Sequence, residues 1–333
     1  MNRRAFLMTI AGGVMSAAAG KAGGGMNVSK EVKNGPKRGK ATVSLVRTRE
    51  RATGIGRAVD LLKINPMNGK DVLLKPNFNT ADPFPGSTHN DTLVYLILKL
   101  KAMGAKSITL GERSGPPDTA DVMRGKGVYE VCKEHDVRII NFEDLPSDAW
   151  VRFQPEGSNW RNGFLVAKPV VDSPCIVTTC CLKTHDYGGV FTMSLKLSVG
   201  VTHKKNMREL HASFLSMRKM IAEINTSYRP SLILLDGIDA FVDKGPSHGP
   251  LKQGNVILAG TDRIAIDAVG LSILKELGSN KAIMEKKIFG QEQIARAVEL
   301  GLGVSRPEDI ELVTDDAAGR QHAERLTAIL LKG

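Results

Sequence analysis

Short apolar, β-branched runs and amphipathic segments take turns from residue 41 onward, and this alternation restricts the fold more than any other feature. Ala41–Arg47, Asp71–Lys75, Ser107–Gly111, Arg138–Asn141, Cys175–Cys180, Ser231–Leu235 and Val256–Ala259 read as strands. Thr53–Lys63, His89–Met103, Met207–Asn225, Arg263–Leu277, Glu292–Leu300 and Ala323–Leu331 read as helices. Pro76 stops the second strand, and Asn90 or Asp91 opens the second helix while Gly104 closes it. Strands separated by helices pair in parallel and are covered on both faces, so the pattern predicts an α/β fold: a parallel or mixed sheet with helices on both faces. A chain of 333 residues with 42% hydrophobic content exceeds what one core usually holds, which predicts two lobes. Trp150–Lys168 breaks the rhythm and reads as a hairpin or insertion.

The first nineteen residues stand apart from this pattern. Arg3-Arg4 precede the apolar stretch Phe6–Val14, and the small residues Ser16–Ala19 that follow suit a signal peptidase. The apolar stretch is too short for a membrane span, so stable membrane insertion is not expected. The paired arginines followed by x-Phe-Leu predict export by the twin-arginine machinery to a periplasmic or other extracytoplasmic compartment. Residues 20–40, rich in Gly, Asn and Lys, read as a disordered basic linker before the folded body begins at 41.

The net charge of +11 is concentrated partly in these N-terminal segments. The body is only mildly basic and only 5% of the chain is aromatic, a composition that argues against a nucleic-acid partner and suits a small anionic molecule.

Polar groups recur where parallel strands deliver the chain to a cleft. Lys75-Pro76-Asn77 ends one strand, Glu112-Arg113-Ser114-Gly115 another, and Lys183-Thr184-His185 a third; Asp236-Gly237 and Thr261-Asp262 end two more. Lys183 and His185, two residues apart, face the same way if their strand persists. They are the candidate catalytic pair, an amine and an imidazole able to hold an anion and move a proton. Gly188-Gly189 allow close approach of the backbone, with Lys196 beyond them. Lys75, Asn77, Lys196 and Asp262 are the candidate ligand-binding residues. His248, in the Gly- and Pro-rich loop Lys244–Pro250, could join His185 and Asp236 in a metal site of nitrogen and oxygen donors. The cofactor is otherwise unknown at this stage, with a metal as one option. His203 and His211 flank the basic segment Lys204-Lys205 and could meet a phosphate.

The four cysteines, Cys132, Cys175, Cys180 and Cys181, contain no C-x-x-C pair, so a ferredoxin-type cluster or thioredoxin-type motif lacks support. Small buried thiols are the expected reading.

Leu73–Asn77, Leu182–His185 with Thr192 and Lys196, Asp236–Ile238, Gly245-Pro246 with His248–Pro250, and Thr261-Asp262 with Ala265–Asp267 together resemble the domain of unknown function 362 family, over roughly residues 42–315. Many members of that family carry a ferredoxin-like module with iron–sulfur motifs, whose cysteines this chain lacks. The segment from His185 to Gly200 is also similar to a stretch in nickel-pincer lactate racemases, which tether a nickel cofactor and move a proton on a hydroxy acid. The resemblance implies a proton- or hydride-transfer enzyme acting on a small anion, in a cleft that takes the anion or a metal-containing cofactor. A non-catalytic periplasmic binding or carrier protein and an iron–sulfur redox protein are the competing expectations.

Overall fold

A computed structural model describes residues 39–333. The predicted signal segment and nearly all of the predicted linker lie outside the described residues.

Among the described residues there are eleven strands: β1 (Ala41–Arg47), β2 (Asp71–Lys75), β3 (Ser107–Glu112), β4 (Arg138–Asn141), β5 (Trp150–Phe153), β6 (Phe164–Ala167), β7 (Cys175–His185), β8 (Val190–Thr192), β9 (Leu232–Phe241), β10 (Leu251–Gly260) and β11 (Ile310–Val313). Nine of them form one mixed sheet in the order β11-β1-β10-β9-β7-β2-β3-β4, with β8 folded back on the end of β7. β10 runs against both of its neighbours, while β11, β1, β9, β7, β2, β3 and β4 share one direction. The ends of β2, β3 and β7 therefore open onto one edge of the sheet. β10 delivers its end to the opposite edge.

Helices cover both faces, as continuous apolar strands require. Val72, Leu74, Ile108, Leu110, Cys175 and Val177 pack on one face with apolar side chains of helices Arg51–Leu61 and Asn90–Ala102. On the other face, Cys180, Leu182, Ile233, Leu235 and Leu258 meet helices Arg263–Leu277 and Ala317–Lys332. Farther along that face Leu73 and Ile176 meet Trp160, Phe164 and helix Met217–Ile224. The Trp150–Lys168 region forms the predicted hairpin, β5 antiparallel to β6, and closes over this last cluster.

Three elements differ from their sequence readings. The helix expected over Met207–Asn225 is two helices, Asn206–Ala212 and Met217–Ile224, joined by a turn at Ser213–Ser216 in which Ser216 N donates to Ser213 O. β7 runs on to His185 rather than ending at Cys180, because β8 returns to pair with Lys183, Thr184 and His185. β9 likewise runs on to Phe241, supported by the reversed β10.

The extension of β9 changes the meaning of Asp236. It lies within the strand, 1% exposed, and accepts from Arg51 Nε at 2.8 Å and Thr92 Oγ1 at 2.5 Å. Arg51 opens the first helix and Thr92 lies in the first turn of the second, so one carboxylate fixes both helices to the middle of the sheet. Removing one partner of a buried pair leaves the other charge stranded, at about 3–5 kcal/mol. Asp236→Ala is expected to lower the unfolding free energy by about that amount in urea titrations.

Candidate functional site

The strand ends that share an edge surround a cavity of about 650 Å³. Lys75 and Asn77 reach it from the end of β2, Glu112 and Arg113 from β3, Lys183 and His185 from β7, and Thr192 from β8. Lys196 enters from the short helix Ser194–Leu197, and Ser247 from the loop between β9 and β10. Five of the residues singled out in the sequence thus meet in one place: Lys75, Asn77, Lys183, His185 and Lys196.

The wall built by β2 and β3 contains one ion pair and one guanidinium satisfied by backbone. Lys75 and Glu112 form a fully buried ion pair, with Lys75 Nζ also donating to Pro76 O at 2.7 Å. The Glu112 carboxylate takes two further donors, Phe78 N at 3.0 Å and Arg113 N at 2.9 Å, so it binds together the turns that leave both strands. Arg113 points its guanidinium into backbone carbonyls instead of carboxylates, donating to Thr202 O at 2.9 Å, Ser114 O at 2.7 Å and Val199 O. Burial pulls it down to about 10.

The wall built by β7 is positively charged and unbalanced. Lys183 is 0% exposed, and its Nζ donates to Gly86 O at 2.5 Å. Burial lowers its pKa to about 8. Lys196 Nζ makes no hydrogen bond or ion pair with any described residue, and burial together with Lys183 and Arg113 lowers it to about 7. Glu112 is the single acid among the lining residues, and Lys75 already occupies it.

Between these amines stands His185, 8% exposed, with Nδ1 lacking any partner within the protein. Burial and the neighbouring Lys196 and Lys183 drive its pKa far below the usual imidazole range, so the ring is neutral. Gly189 brings His185 and Lys196 together. A β-carbon there would stand 2.8 Å from Lys196 Cε and 2.9 Å from His185 Nδ1, closer than side-chain atoms tolerate. Gly188 takes φ 76°, and even the β-branched Val190 takes φ 66°, which marks this hairpin as a strained turn. Unpartnered Asn77 Oδ1 and Thr192 Oγ1 complete the lining.

Asp267 holds the Lys196 helix in place. Its carboxylate accepts from Ser194 N at 2.7 Å and Leu195 N at 3.0 Å, while burial pushes its pKa up to about 7. Asn225 Nδ2 supports the same turn through Leu195 O at 3.0 Å and Ser198 Oγ at 3.1 Å. Charge pattern alone gave no reason to single out Asp267 as a support for Lys196, because the contact spans over seventy residues of chain.

The model for the family described as Domain of unknown function (DUF362) matches residues 72–272, more than half of the chain and every residue that lines the cavity. The chain belongs to the DUF362 family. A curated relative, a thylakoid-associated protein of Synechocystis sp., is 25% identical over 258 residues, covering 74% of this chain and 75% of its own. Among solved structures, the lactate racemase apoprotein of Thermoanaerobacterium thermosaccharolyticum aligns over 85% of each chain with a TM-score of 0.45 and 11% identity.

Within this DUF362 chain the other predicted site residues lie elsewhere. Asp262 stands at the far edge of the sheet because β10 is reversed; it caps helix Arg263–Leu277 through Ala265 N at 3.0 Å and accepts from Val304 N at 2.9 Å. Asp236 is held by Arg51 and Thr92, and His248 is an exposed loop residue outside the cavity lining, although its neighbour Ser247 reaches it. The metal set of His185, His248 and Asp236 therefore does not assemble. Among the described residues no group of three or more His, Cys, Asp or Glu could hold a metal ion. The four thiols are free and buried. Residues not selected from sequence but lining the cavity include Asn79, Tyr187 and Ser247. His211 also reaches it, together with Lys204, which is paired with Glu143.

The two amines make stability depend on pH with a definite sign. Their native pKa values, about 8 for Lys183 and about 7 for Lys196, lie below the ordinary 10.5. Unfolding takes up protons wherever the native lysine is neutral and the unfolded one charged, so stability rises with pH from about 7 toward 10.5. Each lysine contributes at most about 1.4 kcal/mol per pH unit in that window, and nothing below it, where both states are protonated. Urea midpoints measured from pH 6 to 9 should climb in the wild type and climb less in Lys183→Met and Lys196→Met.

Proposed function

We propose that the cavity binds a small organic anion and that His185 moves a proton on it. The observation that carries this reading is a pair of amines, the buried Lys183 and the half-buried Lys196, facing one cavity with no carboxylate paired to either. Buried charge without a counter-charge is costly, and a carboxylate or phosphate entering the cavity offsets that cost. The arriving charge also restores basicity to His185, since its suppression comes partly from the two ammonium groups. Lys183 and Lys196 hold the anion, His185 exchanges the proton, and Asn77 Oδ1 and Thr192 Oγ1 stand ready for hydroxyl or amide groups on the ligand body. Lys75 has a structural part in this scheme, because Glu112 occupies its ammonium.

The cavity's own residues do not form a metal site, and no step in this scheme passes through one. The cysteines likewise provide no cluster-binding set among the described residues. We place the protein outside the cytoplasm on the strength of Arg3-Arg4 and the apolar run behind them; retention of an Arg3-Arg4→Lys-Lys variant in the cytoplasm supports this assignment, and unchanged export refutes it.

Thermal unfolding in the presence of glycolate, lactate, malate and inorganic phosphate tests the binding step. A cavity ligand at a hundred times its Kd stabilises the fold by about 2.7 kcal/mol, and Lys183→Met or Lys196→Met should remove most of that gain. Exchange of the ligand's carbon-bound hydrogen with deuterated water, followed by NMR, tests the chemical step. His185→Gln should keep the thermal shift and lose the exchange. A wild-type protein that binds but never exchanges is a carrier, and one that binds none of these anions removes the basis of the proposal.

A further inference from the structure

One group in the cavity exceeds what anion binding requires. Of the two amines without a counter-charge, Lys183 has an acceptor, Gly86 O, and remaining donors for a ligand carboxylate. Lys196 has no partner of any kind among the described residues, stands against the His185 ring across Gly189, and is fixed through its helix by Asp267 and Asn225. A merely electrostatic lysine needs no such rigid support, because a long flexible stem finds its anion unaided. A fixed, desolvated amine beside a proton-exchanging ring is the arrangement of a nucleophile.

We propose that Lys196 forms an imine with the carbonyl group of a 2-oxo acid bound in the cavity. The proposal rests on the anion-binding reading above, since Lys183 is the group that holds the acid's carboxylate. Burial that leaves about half of the Lys196 amine neutral near pH 7 supplies the free lone pair. The lone pair of neutral Nζ adds to the carbonyl carbon, the C=O π pair moves to oxygen, and His185 carries one of the two nitrogen protons to that oxygen, which gives a neutral carbinolamine. His185 then takes the remaining nitrogen proton and delivers it to the hydroxyl, which departs as water while the nitrogen lone pair closes the C=N bond. One amine and one carbonyl give one imine and one water, with no oxidant or reductant consumed. The cavity of about 650 Å³ accommodates a 2-oxo acid with a side chain.

Incubation of the full chain with glyoxylate, pyruvate or 2-oxoglutarate, followed by borohydride reduction and intact-mass measurement, tests the proposal. The expected result is one stable adduct per chain, mapped by peptide sequencing to Lys196, with its rate of formation rising through about pH 7 as the amine loses its proton. Lys196→Arg keeps the charge and should form no adduct. Lys183→Met should still form it but require about tenfold more acid, the equivalent of one charge-assisted hydrogen bond. Thermal unfolding of every variant with the same acids separates the two ideas. A thermal shift without any Lys196 adduct leaves the anion site standing and overturns the imine. No shift and no adduct overturns both, and an equal adduct yield in Lys196→Arg shows surface lysines reacting and also overturns the imine.

Discussion

The Glu112 carboxylate is the point on which the cavity depends. It neutralises Lys75, accepts the backbone amides of Phe78 and Arg113, and so binds the exits of β2 and β3 into one rigid wall. Arg113, aimed by that turn, reaches Thr202 and Val199 and secures the segment following the Lys196 helix. Asp267, on the neighbouring helix Arg263–Leu277, secures the beginning of the same helix. Two carboxylates thus hold the wall of β2 and β3 and the helix that carries Lys196. Buried carboxylates carrying several donors are well suited to this task, because each donor removed leaves an unpaid desolvation penalty.

The cavity differs from its supports in one respect. Several buried charges of the scaffold are paired with an opposite charge: Asp236 with Arg51, Glu112 with Lys75, Glu223 with Arg296. Lys183 and Lys196 do not, and the fold bears that imbalance by letting their protons go at lower pH. Perturbed amines in a concave site, next to an imidazole forced neutral, mark chemistry more often than structure.

The sequence carried the α/β class because continuous apolar strands and amphipathic helices have different periods, and Lys183 with His185 because two residues along a strand share a face whatever surrounds it. Lys75, Asn77 and Lys196 followed from their places beside strand ends and glycines. Asp262 and Asp236 were read as sharing the cleft for the same reason, and two non-local facts moved them. Strand direction is decided by pairing, so nothing local told that β10 runs backward and carries Asp262 to the far edge. Strand length is decided by pairing too, and β10 extends β9 past the Asp236-Gly237 pair that looked like its turn. The support from Asp267 to the Lys196 helix was invisible for a related reason, since a capping contact across more than seventy residues leaves no periodic trace.

The shortage of negative charge in the cavity also makes this site a device for moving protons between solvent and protein. On the proposed anion reading, partly neutral amines become ammonium groups once an anion arrives, so each capture of a ligand would draw hydrogen ions from the medium. Affinity therefore weakens as the medium turns alkaline, and the heat of binding depends on the buffer that gives up the protons. On that reading the site would be loaded by acid and emptied by base with no moving part.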